Sequence, residues 1–243
     1  MKNVLWYASG VVFLLLFWEI ASRIYDSALI FPGPYPVLKE FISLLKDEKF
    51  FLMLGSTFFR VMMGMVISVP LGLAFGIAAG LDKRASAFFH PLFSLISATP
   101  VMSVILIAFL FLGSERTPVF TAFLMVFPVM AANAAEGIRR VDPLLVELFK
   151  VYQMSLKERL RHLYIPSITP FVLGGLKSSL SLCWKVVVAA EILVQPFRSL
   201  GTGMQQARAR LETPELFALT LATVIAASLC QGIISLIMRK AAK

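Results

Sequence analysis

Three ionisable residues, Lys177, Lys185 and Glu191, interrupt an otherwise apolar stretch over residues 168–194. Charges that deep in apolar sequence either face a bundle interior or an aqueous path, or snorkel toward lipid headgroups. On a helical wheel of roughly 100° per residue, Lys177 and Glu191 lie about 40° apart, and Lys185 lies about 80° from Lys177. Two readings therefore stand. The three residues line a path, Lys185 foremost, or Lys177 reaches inner headgroups while Glu191 sits at the outer interface. A positively lined path suits an anionic solute.

Other chemistry is sparse. His90 and His162 are the only histidines, and neither has a second ligand at metal spacing. His90, beside Pro91 at a helix start, reads as structural. Cys183 and Cys230 fall in apolar stretches and read as packing residues, with no disulfide framework. The chain carries no Gly-x4-Gly-Lys-Ser/Thr phosphate loop, so it does not hydrolyse ATP by itself. Gly201-x-Gly203 lacks the later glycine and a preceding strand, and is only a loop signal. No group of residues asks for a cofactor or metal, and the clustered polar residues of a membrane-embedded enzyme are missing.

The elements that position these residues belong in a bilayer. The 243 residues are 58% hydrophobic and 15% charged, with a mean hydropathy of +0.83. A soluble domain carries roughly 25% charge. The net charge of +9 fits basic cytoplasmic loops better than nucleic acid, which is excluded as a partner.

Charge-free runs place six spans, at about 4–22, 58–81, 91–112, 118–135, 168–194 and 216–238, in a single transmembrane domain over 1–243. The predicted fold class is all-α, a polytopic membrane protein with six transmembrane helices. Lipid is thus one of its partners. Thr213-Pro214-Glu215 opens the last span with a cap, a first-turn proline and an acid suited to the helix dipole. The first segment reads as a retained helix; its bulky Phe17-Trp18-Glu19 end argues against a cleaved signal.

Orientation follows from basic residues. Lys2, Lys83, Arg84, the 136–167 loop, Arg239, Lys240 and Lys243 are rich in positive charge. On the other side, Asp26, Glu40, Asp47 and Glu48 offset the basic residues of the first loop. The positive-inside rule then puts both termini in the cytoplasm of a multi-pass cell (inner) membrane protein. Phe31-Pro32-Gly33-Pro34-Tyr35-Pro36 reads as a rigid turn, followed by a short amphipathic helix at about 37–45. Gly72, Gly76 and Gly80 lie along one face of the second span, a spacing that permits close helix approach in lipid.

The cytoplasmic loop at about 136–167 is too long for a connector. Asp142-Pro143 signals a helix start. Phe149, Tyr152, Leu156, Leu160 and Leu163 fall within about 80° on the wheel, with Lys150, Lys157, Glu158 and Arg161 away from that stripe. Such a helix lies in the lipid interface, covers its own bundle, or docks into a partner's groove. The residue pattern leaves all three open.

This loop resembles the cytoplasmic signature of permease subunits of binding-protein-dependent ABC importers. That signature begins Glu-Ala-Ala, has a glycine four residues after the second alanine, and closes ten residues later on a hydrophobic-x-Leu-Pro pattern. Here it reads Glu147-Leu148-Phe149, then Gln153, then Leu163-Tyr164-Ile165-Pro166. The two alanines and the glycine are replaced. Arg139-Arg140-Val141-Asp142-Pro143 resembles the family's lead-in. Phe31-Pro32-Gly33-Pro34, Arg60-x3-Gly64, Gly174-Gly175-Leu176-Lys177 and Cys183-Trp184-Lys185 through Glu191 are similar to its nitrate/sulfonate/taurine-type branch.

The resemblance implies a type I importer permease working as a homodimer. Its partners would be an ATP-binding cassette subunit, an extracytoplasmic solute-binding protein and a second copy of itself. It implies that Glu147, Phe149, Tyr152, Gln153, Leu156, Leu160, Leu163 and Pro166 couple the chain to the ATP-binding subunit. The solute would be small, and anionic if the lysines line the path: a sulfonate, nitrate or a vitamin precursor. Gln153 in the glycine's place weakens the loop's bend or shifts it toward Met154-Ser155. The alternative is an ion-gradient-driven secondary transporter or channel, which predicts inverted repeats or broken helices.

Overall fold

The computed structural model describes residues 2–25, 27 and 29–241, with the side chains of residues 2–5, 7, 150, 156, 237 and 239–241 outside the description. Asp26 and Lys243, and the side chains of Lys2, Lys150, Arg239 and Lys240, thus lie outside the described residues. The described chain is helical and contains no strand.

A long apolar helix comes first, α1 (Lys2–Tyr25). Its flank is exposed, and it is held at its C-terminal end. There Trp18 stacks on Phe217 at 6.2 Å and donates through Nε1 to the Pro32 carbonyl at 3.0 Å. The proline-rich turn leads into α2 (Pro34–Leu44), whose Val37 and Leu44 enter the core while its polar face stays outside. Asp47 caps α3 (Glu48–Leu81) by accepting from the Lys49 amide at 2.9 Å.

Helix α4 (Lys83–Ala98) ends at Thr99-Pro100, where the extended Thr99 is the conformation a following proline imposes. Helix α5 (Val101–Arg139) bends sharply at Gly113, whose φ of 69° lies in the left-handed region. The stretch 91–112, read from sequence as one helix, is therefore divided between α4 and the first arm of α5. Contacts give the directions. Ser86 meets Arg139, the Phe93 ring lies 5.4 Å from Phe127, and Ile105 packs on Ala190 and Val194. Residues 83–112 thus rise together along the molecule, and 114–139 return.

Two short helices follow, α6 (Pro143–Val151) and α7 (Leu156–Arg159). A π-turn over Leu160–Tyr164 joins α7 to α8 (Ile165–Val194). After a loop come α9 (Leu200–Ala209) and α10 (Thr213–Ala241). Five described helices, within α1, α3, α5, the 157–194 segment and α10, are long and apolar enough to cross a membrane.

The centre is α3 against α5 against α8. A Cβ on Gly72 would stand 2.5 Å from Met130 Cβ, and one on Gly64 2.9 Å from Ala122 Cβ. A Cβ on Gly76 would collide with the Ala131 carbonyl oxygen. The glycine face read from the sequence is thus the surface on which α5 lies, backbone to backbone. In lipid, where apolar side chains gain little by leaving their surroundings, such close packing is what holds helices together.

Candidate functional site

The loop at about 136–167 is built from two capped helices meeting at one strained residue. Asp142 accepts from the Leu144 amide at 2.9 Å and starts α6, with Pro143 in its first turn. The helix ends when Gln153 takes φ 51°, and the Met154 amide turns back to the Phe149 carbonyl at 3.1 Å. Ser155 then opens α7 with a reciprocal cap. Its Oγ–H and its amide donate to Glu158 Oε2 at 2.7 and 2.8 Å, and the Glu158 amide donates back to Ser155 Oγ at 3.3 Å. The bend therefore sits at Gln153 itself, in the left-handed conformation a glycine adopts freely, and is not displaced toward Met154-Ser155.

This break changes how the apolar stripe is used. Leu148, Phe149, Tyr152, Gln153, Met154 and Glu158 surround a concavity of about 630 Å³. Tyr152 and Val151 are 72% and 78% exposed, and Glu147 and Leu160 are also on the surface. Leu163, by contrast, is 3% exposed and packs into the chain's own bundle, so the two ends of the stripe do different work. Pro166 is exposed in the first turn of α8. The side chain of Leu156 lies outside the described residues. Glu147 also borders a second cleft, with Gly80, Leu81 and Tyr164 in its wall.

The three charges of 168–194 separate. Lys177 and Lys185 are exposed on α8, Lys185 between the buried Trp184 and Val186. Glu191 is fully buried. Its carboxylate accepts from Arg60 Nη1 at 3.1 Å, Thr57 Oγ1 at 2.9 Å and the Gly201 amide at 3.2 Å. A buried carboxylate persists only with its charge and lone pairs answered, and here both are. Arg60 also donates to Glu115 at 2.7 Å and to the Phe197 carbonyl at 3.2 Å, and the Phe197 amide donates to Glu115 at 2.6 Å. A Cβ on Gly201 would overlap that of Glu191, so the first turn of α9 reaches the carboxylate because that residue is glycine.

From sequence, Glu191 reads either as lining a path with the two lysines of its helix or as sitting at the outer interface, and Arg60 enters neither reading. The signal was present: one arginine opens the charge-free run 61–81, and one acid stands deep in a later span.

A family model described as "Binding-protein-dependent transport system inner membrane component" matches residues 68–242. The chain is 25% identical over 232 residues to a putative aliphatic sulfonates transport permease protein of Bacillus subtilis (strain 168), covering 95% of this chain and 84% of that one. It is 26% identical over 213 residues to the taurine transport system permease protein of Escherichia coli (strain K12), covering 85% and 77%. A bicarbonate transport system permease protein of Synechococcus elongatus (strain ATCC 33912 / PCC 7942 / FACHB-805) is 26% identical over 206 residues, covering 79% and 73%.

Among solved structures, a chain of a bacterial ABC transporter importing the acidic polysaccharide alginate superposes with a TM-score of 0.71 at 12% identity, over 100% of this chain and 97% of that one. A chain of the inward-facing MetNI methionine ABC transporter gives 0.58 at 16% identity, over 78% and 93%. These two report the fold alone. With the family model covering most of its length, the chain belongs to the inner membrane components of binding-protein-dependent transport systems, the permease subunits of ABC importers.

Proposed function

We propose that two copies of this chain form one pore, opened and closed by separate ATP-binding subunits that grip the α6–α7 knuckle. An extracytoplasmic binding protein delivers a small anionic solute to it. Each copy crosses the inner membrane six times, through α1, α3, α4 with the first arm of α5, the second arm of α5, α8 and α10. Both termini then lie in the cytoplasm.

The observation that carries this reading is the knuckle itself. Leu148 and Tyr152 stand exposed on the rim of a groove at the tip of two short capped helices, with Val151 exposed beside them. An apolar anchor on a rigid, charged mount is the geometry of a docking element. The sequence has no phosphate loop, so the energy source is another chain. Glu147, Phe149, Gln153, Leu156 and Leu160 supply the rest of the contact, while Leu163 and Pro166 fix the knuckle to α8.

Two observations agree on the solute class. Lys185 stands exposed midway along a membrane helix, where lipid is an expensive neighbour for an ammonium. The relatives' names specify sulfonates, taurine and bicarbonate. Lys185, with Lys177 below it, faces the path; Glu191 serves the bundle.

The test is co-purification with the ATP-binding subunit. Tyr152→Asp and Glu147→Arg should each lower recovery about tenfold or more, with membrane insertion and thermal midpoint unchanged. Full recovery in both variants would refute the docking assignment.

A further inference from the structure

Helix α4 carries a polar stripe that neither the knuckle nor the buried ion pair uses. Ser86, His90, Ser94 and Ser97 fall within about 80° on the wheel and extend over about 16 Å of helix at ~1.5 Å per residue. They form one wall of a cleft of about 520 Å³ whose other wall is the small-residue face of α5 around Ala131, Ala132 and Ala135. His90, Ser94 and Ser97 are exposed to it. Ser94 Oγ lies 3.4 Å from His90 Nδ1, and Nε2 has no hydrogen-bond partner among the described residues.

The cytoplasmic mouth is basic. Arg139 donates to Ser86 Oγ at 2.7 Å and forms no salt bridge among the described residues. The one acid in the wall, Glu136, is engaged by Arg140 at 2.7 Å. Lys83 borders the adjoining cleft beside Arg139. The deep end closes at Ser97 and Pro128, just before the Thr99-Pro100 break. Hydroxyls and an imidazole on one face of a membrane helix, with a guanidinium of the neighbouring helix at their end, are costly against lipid and cheap against water. The volume lies in the range of small-molecule sites.

We infer that this cleft, from Arg139 at its mouth to Ser97 at its floor, is a contact site for a small oxyanion of the sulfonate or carboxylate class on the cytoplasmic half of the translocation path. His90, Ser94 and Ser97 offer hydrogen bonds along the way, and Arg139 supplies the positive charge. The inference rests on the pore reading above and adds the residues that meet the solute.

The experiment uses single cysteines at Ser94, Ser97 and Leu95 in a Cys183→Ser, Cys230→Ala background of the full importer in inside-out vesicles. Leu95 is 68% exposed and points away from the stripe. The probes are 2-sulfonatoethyl methanethiosulfonate and its trimethylammonium counterpart, both impermeant. Ser94→Cys and Ser97→Cys should react, and with each rate referred to the same reagent's rate on a free thiol in solution, the sulfonate should be favoured over the cation by about threefold at low ionic strength, the effect of one unit charge roughly 12 Å away at an aqueous dielectric. Arg139→Gln should bring the two normalised rates together, and Leu95→Cys should stay unmodified.

Unreactive cysteines at both 94 and 97 would put this face against lipid and overturn the site. A normalised preference for the cation would overturn its selectivity. Either result leaves co-purification through the knuckle intact, so failure here is distinct from failure of the docking assignment.

Discussion

Arg60 on α3 and Glu191 on α8, 131 positions apart in sequence, meet at 3.1 Å with the carboxylate wholly buried. Through Glu115, Thr57, Phe197 and Gly201 they also tie the bend of α5 and the first turn of α9 to the same point. Replacing one partner leaves the other charge buried and unanswered, which costs about 3–5 kcal/mol. Arg60→Met should therefore lower the thermal midpoint in detergent sharply. Arg60→Met combined with Glu191→Leu should recover much of the loss. A double variant as unstable as the single one would mean that the network matters for its hydroxyl and backbone contacts alone.

The α3–α5 contact gives a second expectation. Gly72→Ala and Gly76→Ala each push a methyl into the backbone or Cβ of α5, with overpacking costs of about 1–3 kcal/mol. Gly55→Ala, where a Cβ meets nothing within 4 Å, should be neutral or stabilising. Thermal midpoints of the three purified variants check this; equal midpoints would refute the close approach.

At the knuckle, Gln153 holds φ 51° without being glycine. A side chain in that conformation costs about 1–2 kcal/mol. Gln153→Gly should thus slow amide hydrogen exchange over residues 148–158, while Gln153→Val should speed it. Identical exchange in all three chains would mean that the bend is not a point of strain.

On α8, neighbours differ. Trp184→Ala removes a buried ring and should cost about 3–5 kcal/mol. Lys185→Leu changes an exposed side chain with no ion-pair partner among the described residues and should move stability by less than about 0.5 kcal/mol. A midpoint loss at Lys185→Leu equal to that at Trp184→Ala would assign Lys185 to packing instead of the path.

Much of this protein is set by local sequence. Hydropathy runs give its membrane class, because a bilayer tolerates long apolar helices and little else. Asp142-Pro143 and Thr213-Pro214 mark helix starts because a cap acts within one turn. The spacing of Gly72, Gly76 and Gly80 is enough to show which face of α3 another helix approaches.

Pairings across the bundle were decided by the tertiary structure. Glu191 reads from sequence as a path or an interface residue, because a single helix shows which charges share its faces, not which helix covers them. Arg60 claims it only once α3 lies on α8. Leu163 and Tyr152 share a wheel angle, yet one is buried and the other exposed, since the left-handed turn at Gln153 reorients everything after it. The cleft beside His90 likewise exists only because α5 bends at Gly113 and returns past α4. Periodicity is local, whereas burial depends on where distant segments come to rest.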